Sequence, residues 1–313
     1  MYDPFAPGPF SVGERSFEAL DRTRRRMFPC HVWHPVEAGD YPLIIFSHHS
    51  GGNRRSSTFL CRHLCGHGYV VAALDHSEMI APELARKEGM SLEERNARME
   101  AIVASRVPDV HFLMDHLLNE WDAEARIDPA AIGIVGHSFG GWTALAAPAA
   151  DPRLGAVVAL APGGSSNPKP GIIRAKLDFR WGREVPTLIL AAENDTPLPL
   201  EGMFDIFERA PEPKRMAILR RADHLHFVDD VEQRHEESRL APLTGQEWDW
   251  IAKEMLPMAE LCSGDQAHLF IRGLTVCHMD AALKRREEAR RFFAGGIEAE
   301  LASRGVDAIM QGP

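Results

Sequence analysis

No apolar run in these 313 residues approaches the ~20 needed to cross a bilayer as a helix. The first ten residues hold Asp3, three prolines and no basic residue, and no apolar core segment follows them. A secretory leader needs both features, so the reading is a cytoplasmic protein with reduced thiols. Basic residues are in deficit: 35 Lys and Arg against 45 Asp and Glu leave a formal net charge of −10. That balance argues against a nucleic-acid partner, because neutralising phosphates takes a basic surface. The one basic run, Arg22 with Arg24, Arg25 and Arg26, reads as a solvated turn. Cysteines number five, too few and too odd for a closed disulfide framework. No H-E-x-x-H or C-x-x-C pairing is present to hold a metal. Cys61 and Cys65 are interleaved with His63 and His67, but on a helix the two pairs point about 160° apart. No metal and no organic cofactor are expected.

What is present is an ordinary globular composition, 45% hydrophobic and 26% charged, which rules out disorder as the main state. The length allows two domains or one large α/β domain; the pattern is read as one, residues 1–313. Short strands are expected at 11–17 and 28–33. Continuous apolar runs follow at 43–46, 69–74, 131–135, 156–160 and 187–191, with 215–219 as the last strand. Helical patterns lie between them, at 58–66, 81–106, 110–121 and 142–149. Residues 162–183 are irregular, rich in Gly, Pro and Ser. Everything after Arg234 looks helical, ending in a long helix over 268–293. Continuous apolar strands alternating with helices predict an α/β fold, a mostly parallel sheet covered on both faces. The stretches at about 81–106 and 234–264 are candidate helical caps. The second carries Trp248, Trp250, Met255, Leu256 and Met258.

The chemistry gathers around Gly136-His137-Ser138-Phe139-Gly140, a G-x-S-x-G pattern set directly between a buried strand and a small-residue helix. The turn is tight enough to need glycine on both sides, and it lifts the serine hydroxyl above the sheet. A serine is a poor nucleophile until a base takes its proton. The base should come later, in the order serine, acid, histidine. Just past the strand at 187–191 stand Glu193 and Asp195; Asp195 is the candidate acid and Glu193 its rival. After the last strand come His224 and His226; His224 is the candidate base. Two residues apart on an extended loop, the histidines would face the same way, so position alone does not separate them. The tetrahedral oxyanion needs two preorganised N–H donors. Phe139, next to the nucleophile, and Ser50, in the loop after 43–46, are the candidates. His49, His137 and Trp142 flank this constellation as candidate pocket residues.

Several segments together resemble the serine-nucleophile α/β-hydrolases of the dienelactone hydrolase and platelet-activating-factor acetylhydrolase-like group. They are Phe46-Ser47-His48-His49-Ser50-Gly51-Gly52, the strand from Gly68 to His76, Gly136 to Gly141, Ala192-Glu193-Asn194-Asp195-Thr196-Pro197 and Ala222-Asp223-His224. The Asp195 segment is also similar to that of cutinase-like polyester hydrolases. The resemblance covers about residues 10–230 and the final helix. It implies an α/β-hydrolase fold with helical additions, a Ser138–His224–Asp195 triad and no cofactor. Three departures stand out. Dienelactone hydrolases proper use cysteine where this chain has Ser138. The eukaryotic acetylhydrolases take their acid one strand earlier, where this chain has Pro162-Gly163-Gly164. His49 replaces the expected glycine of the oxyanion loop and narrows the pocket mouth. The function expected is hydrolysis of small-molecule carboxylic esters with short acyl groups. The alternatives are an amidase, peptidase or acyltransferase on the same triad, or a non-catalytic binding protein on this fold. The oligomeric state is left open.

Overall fold

The computed structural model describes residues 2–312; Met1 and Pro313, the ends of the expected domain, lie outside the described residues. The apolar runs become strands: β1 (Val12–Asp21), β2 (Arg26–Pro35), β3 (Gly39–Ser47), β4 (Val70–Leu74), β5 (Ala125–His137), β6 (Leu154–Leu160), β7 (Thr187–Ala192), β8 (Lys214–Leu219) and β9 (Ala308–Gln311). Among the described residues they form one sheet in the order β1-β2-β4-β3-β5-β6-β7-β8-β9. The pairings β1–β2, β2–β4 and β8–β9 are antiparallel. From β4 through β3, β5, β6 and β7 to β8 every neighbour is parallel. The helices are α1 (Thr58–Gly66), α2 (Ser77–Ile80), α3 (Leu92–Glu120), α4 (Phe139–Ala146), α5 (Leu200–Arg209), α6 (Val231–Arg239), α7 (Asp249–Glu254), α8 (Gly264–Ala282), α9 (Glu287–Ala294) and α10 (Ile297–Ser303).

The two-residue period of a strand explains why both faces are covered. On β3, Leu43 and Ile45 join Leu113 of α3, Leu145 of α4 and Ile206 of α5 in one core. Ile44 and Phe46, pointing the other way, join Leu60 of α1, Phe270 of α8 and Leu301 of α10 in a second. Full burial of such a side chain is worth ~1.5–3 kcal/mol, so these four consecutive residues contribute to both layers. Cys30 and Trp33 of β2 divide between the two cores in the same way. Among the described residues no helix is long and apolar enough to cross a membrane.

Four expectations are corrected. The helical patterns at 81–106 and 110–121 are one helix, α3, which starts on a Ser91–Glu94 capping box and carries Pro108 inside it. Proline usually marks a boundary because it lacks an N–H and crowds the preceding turn. Here the buried stripe Ile102, Val110, Leu113 and Leu117 continues across it, and tertiary burial overrides the local preference. Residues 81–91 form a short 3-10 turn at Pro82–Leu84 and irregular chain instead. The helix expected at 142–149 begins earlier, at Phe139, and ends in a 3-10 turn. The long helix at 268–293 is two, α8 and α9, separated where Arg285 adopts φ 54°. Beyond them the chain returns to the sheet as β9, so β8 is not the last strand.

The arginine run is only half solvated. Arg22 and Arg25 are exposed, but Arg24 Nη1 donates to buried Asp109 at 2.5 Å, and Arg26 reaches Ser77 Oγ at 2.8 Å. The histidines of α1 meet carbonyls: His63 Nε2 lies 2.9 Å from Pro4 O and His67 Nε2 2.9 Å from Ala6 O. Cys61 and Cys65 are buried in the core on that helix.

Candidate active site

Strand β5 ends at His137 and α4 begins at Phe139, which leaves Ser138 alone to make the turn. It does so at φ 59° and ψ −115°, a region that costs an L-residue about 1–3 kcal/mol. The neighbours explain how the turn is possible. A Cβ on Gly136 would lie 2.0 Å from Gly140 O, and one on Gly140 would lie 1.9 Å from Ser47 O. Neither position accepts a side chain. The Ser138 N–H donates to Leu160 O at 2.8 Å, and its carbonyl accepts from the N–H groups of Trp142 and Gly163, both at 3.0 Å. These bonds hold the strained residue with its hydroxyl at the N-terminus of α4 and at the carboxyl end of the parallel strands, where ligands gather in such sheets.

Asp195 follows β7 and is 4% exposed. Its Oδ1 accepts the Leu198 N–H at 2.8 Å, and its Oδ2 lies 2.8 Å from His224 Nδ1. His224 Nε2 lies 2.9 Å from Ser138 Oγ. Burial raises the Asp195 pKa, and the attraction of His224 offsets this only in part. For His224 burial opposes the charged form, but the Asp195 carboxylate outweighs it and lifts the pKa above the ordinary value. Such an arrangement can carry a proton from hydroxyl to imidazole, with a carboxylate fixing the tautomer.

The rivals are engaged elsewhere. Glu193 accepts the Arg221 N–H at 2.8 Å and pairs with Arg220 at 2.9 Å. His226 is fully buried, with Nδ1 2.9 Å from Asp223 Oδ1 and Nε2 3.0 Å from Cys262 O. The two histidines do not share a direction. Residues His224–Phe227 form a 3-10 turn, in which positions two apart point about 240° around the axis from each other.

The loop after β3 lies beside the turn, because β3 and β5 are neighbours with Ser47 opposite Gly136. Among the described residues neither the Ser50 nor the Phe139 N–H donates to another protein group. His49 is half-buried, its ring 5.5 Å from that of His137, and burial pulls its pKa down to about 4. The other two candidate pocket residues are placed differently from expectation. His137 is 0% exposed. As the last residue of β5 it points into the molecule, where it sits 4.7 Å from the His224 ring and stacks on Phe227. It packs behind the His224 ring rather than lining open space. Trp142 is 5% exposed and its indole N–H donates to Lys176 O at 3.0 Å. With Phe139 it forms a buried apolar cluster against Leu84, Ile102 and Ala175. From the first expected cap (81–106), Ala81, Leu84 and Ile102 pack in this cluster. The second reaches it less directly: Trp250 donates to Pro170 O at 3.1 Å, and Arg86 lies 5.4 Å from the ring of half-exposed Trp248.

Sequence reasoning missed a buried polar network behind the loop, formed by Arg106, Glu78, His48, His76 and Asp109. A signal was there. Arg106 falls on the same stripe of α3 as Ile102, Val110 and Leu113, and a charge in an apolar stripe needs buried partners.

The model of the dienelactone hydrolase family matches residues 28–238. Cutinase 1 of Thermobifida cellulosilytica is 26% identical over 228 residues, which cover 72% of this chain and 74% of that protein. A cutinase of Thermobifida fusca is also 26% identical, over 72% of this chain and 64% of its own length. The platelet-activating factor acetylhydrolase of Canis lupus familiaris is 31% identical over 160 residues, 40% of this chain and 36% of that one. Among solved structures, the ferulic acid esterase of Streptomyces cinnamoneus matches at a TM-score of 0.65 and 21% identity, covering 90% of this chain and 93% of the other.

Proposed function

The chain belongs to the dienelactone hydrolase family and is an ester hydrolase of the α/β-hydrolase fold; from that premise we propose that it hydrolyses small-molecule esters with short acyl groups through Ser138, His224 and Asp195, within one domain. Ser138 Oγ attacks the ester carbonyl carbon as His224 Nε2 takes the hydroxyl proton. The carbonyl oxygen becomes an oxyanion between the N–H groups of Ser50 and Phe139. The bond to the alcohol oxygen then breaks, and His224 returns the proton to the leaving alcohol. Water repeats the attack on the acyl-serine, with His224 again as base, and releases the acid and free Ser138. Asp195 holds Nδ1–H and stabilises the imidazolium. The steps balance without any group beyond ester and water.

The observation that carries this reading is the unbroken contact chain of 2.9 Å from Ser138 to His224 and 2.8 Å from His224 to Asp195. The short-acyl part is supported by the apolar cluster that already fills the space beside Phe139 and Trp142. The test is Ser138→Ala, assayed on p-nitrophenyl acetate and with a fluorophosphonate probe. The variant should fold normally, lose about 10³-fold or more of kcat/KM and lose labelling. Undiminished hydrolysis by the variant would rule out the mechanism. A wild-type chain that neither turns over esters nor takes the probe would favour a silent binding protein.

A further inference from the structure

Behind the oxyanion loop the structure buries a complete guanidinium. Arg106 is 0% exposed, on the apolar stripe of α3. Such a charge is tolerated only where its donors find acceptors; both Nη groups find specific ones, and Nε is buried with no protein partner among the described residues. Nη1 donates to His48 O at 2.6 Å and Nη2 reaches His49 O at 3.4 Å. Nη2 also pairs with the Glu78 carboxylate. The guanidinium carbon lies 4.3 Å from the centroid of the Phe139 ring. One cation therefore touches both segments that would supply oxyanion donors.

The geometry of the peptide unit gives this a consequence. His49 C=O and Ser50 N–H belong to the same peptide, and a trans peptide points them in opposite directions. A cation holding the carbonyl on the buried side fixes the N–H toward the open side, where Ser50 is exposed. The same carbonyl takes His48 Nδ1–H at 2.7 Å and the Gly52 N–H at 3.1 Å. His48 keeps that tautomer because its Nε2 accepts the His76 N–H at 3.1 Å. His76 in turn is held by Ser47 Oγ at 2.8 Å and by Asp109 at 3.1 Å. Hydrogen bonds polarise one another in a low dielectric, so a cation on the carbonyl also strengthens the N–H as a donor.

We propose that Arg106 is the positioning residue of the oxyanion hole, presetting the Ser50 N–H through the His48 and His49 carbonyls and steadying Phe139 through its ring. The proposal rests on the ester-hydrolase mechanism above. Its test uses Arg106→Gln and Arg106→Lys, with kcat and KM for p-nitrophenyl acetate, a thermal melt, and the Ki of a short-chain trifluoromethyl ketone, which adds to Ser138 as an oxyanion. A single lost oxyanion donor lowers kcat by about 10²–10³-fold. Arg106→Gln should lower kcat by about 10²-fold, leave KM within about threefold and raise the Ki in parallel with the fall in kcat. Arg106→Lys, which keeps the charge beside Glu78 but not the fork, should fall between. A wild-type kcat, or a lost kcat with unchanged Ki, overturns the proposal. Should Arg106→Gln fail to fold, Arg106→Lys decides: wild-type kcat and Ki then leave Arg106 a purely structural role. Fluorophosphonate labelling of Ser138 in the wild type keeps these outcomes separate from a failure of the mechanism itself.

Discussion

In the proposed mechanism the His224 imidazole must be neutral to accept the Ser138 proton, yet the Asp195 carboxylate beside it favours the charged form. Burial works against that charge, and the carboxylate wins. The sign is therefore fixed: a folded-state pKa above the ordinary ~6.5 keeps the free enzyme protonated and idle to a higher pH. The acid limb of kcat/KM should titrate above that value, because this ratio reports the free enzyme. In Asp195→Asn the limb should move to lower pH while the maximum falls about 10²–10⁴-fold; a limb that stays put would remove Asp195 from the pair. The neighbours give the contrast. His224→Ala should cost about as much as Ser138→Ala, since triad members act as a unit. Glu193→Gln and His226→Ala should keep most of kcat, because Glu193 serves Arg220 and Arg221 and His226 serves Asp223 and Cys262. Parallel rate assays of the four variants check this, and a silent His226→Ala beside an active His224→Ala would exchange their roles.

At the scale of elements, the loop that carries His224, the proposed base, is tied down by a second carboxylate. Asp223 caps the turn His224–Phe227, and its two oxygens face His226 Nδ1 at 2.9 Å and His235 Nδ1 at 2.6 Å. The far nitrogens meet carbonyls: Cys262 O at 3.0 Å from His226 and Leu256 O at 2.8 Å from His235. At His226 Nδ1 the Asp223 carboxylate and the Asp223 N–H, the latter at 3.0 Å, converge on one nitrogen, so the ring is tied to the cap residue twice. Although burial opposes the charge, the hydrogen bond to Asp223 takes the His226 pKa up to about 10. A raised folded-state pKa gives stability that is complete below the unfolded ~6.5 and is lost as pH rises toward 10. Thermal melts should therefore fall by several degrees between pH 7 and pH 10, and His226→Gln should flatten that slope; equal slopes in the two proteins would dissolve the clamp. None of this was legible in the chain, where Asp223, His226 and His235 are merely polar residues near a candidate base. The strands were legible because apolar runs buried on both faces have no other use. Helix α1 was found at its true ends. Strand β9, four residues long, is below what periodicity can resolve, and Pro108 divided a helix that burial holds together. The nucleophile turn could be read because its glycines are forced by contacts under 2.1 Å. For the support behind it the sequence shows only that Arg106 falls in an apolar stripe and needs buried partners; which ones it meets, His48 O and His49 O among them, carries no sequence signal.

Across the whole molecule, three separate stretches close over one side of the Ser138 turn. Leu84 from the turn after α2, Ile102 from α3 and Ala175 from the irregular 162–183 stretch pack onto Phe139 and Trp142. That stretch is anchored at both ends. The Gly163 N–H donates to Ser138 O at 3.0 Å, and Arg183 donates to Pro148 O and Leu154 O, both at 2.9 Å. Ser166 is tied to Asp205 of α5, by its N–H at 2.7 Å and its hydroxyl at 2.9 Å. Such a cover differs from a lid that swings open on an apolar surface: its inner face is already buried against the core it would have to leave. An acyl chain extending along this side gains about 0.8 kcal/mol for each methylene that finds apolar room, and loses more for each that must displace Trp142. With p-nitrophenyl esters from acetate to palmitate, kcat/KM should peak between acetyl and butyryl and fall by eight carbons. Trp142→Ala should move the peak to longer chains, because it removes the largest side chain of the cluster, and should lower stability by about 3–5 kcal/mol. A wild-type peak at dodecanoate or palmitate would refute the closed acyl side. An unchanged peak in a folded Trp142→Ala would show that Trp142 does not set the limit.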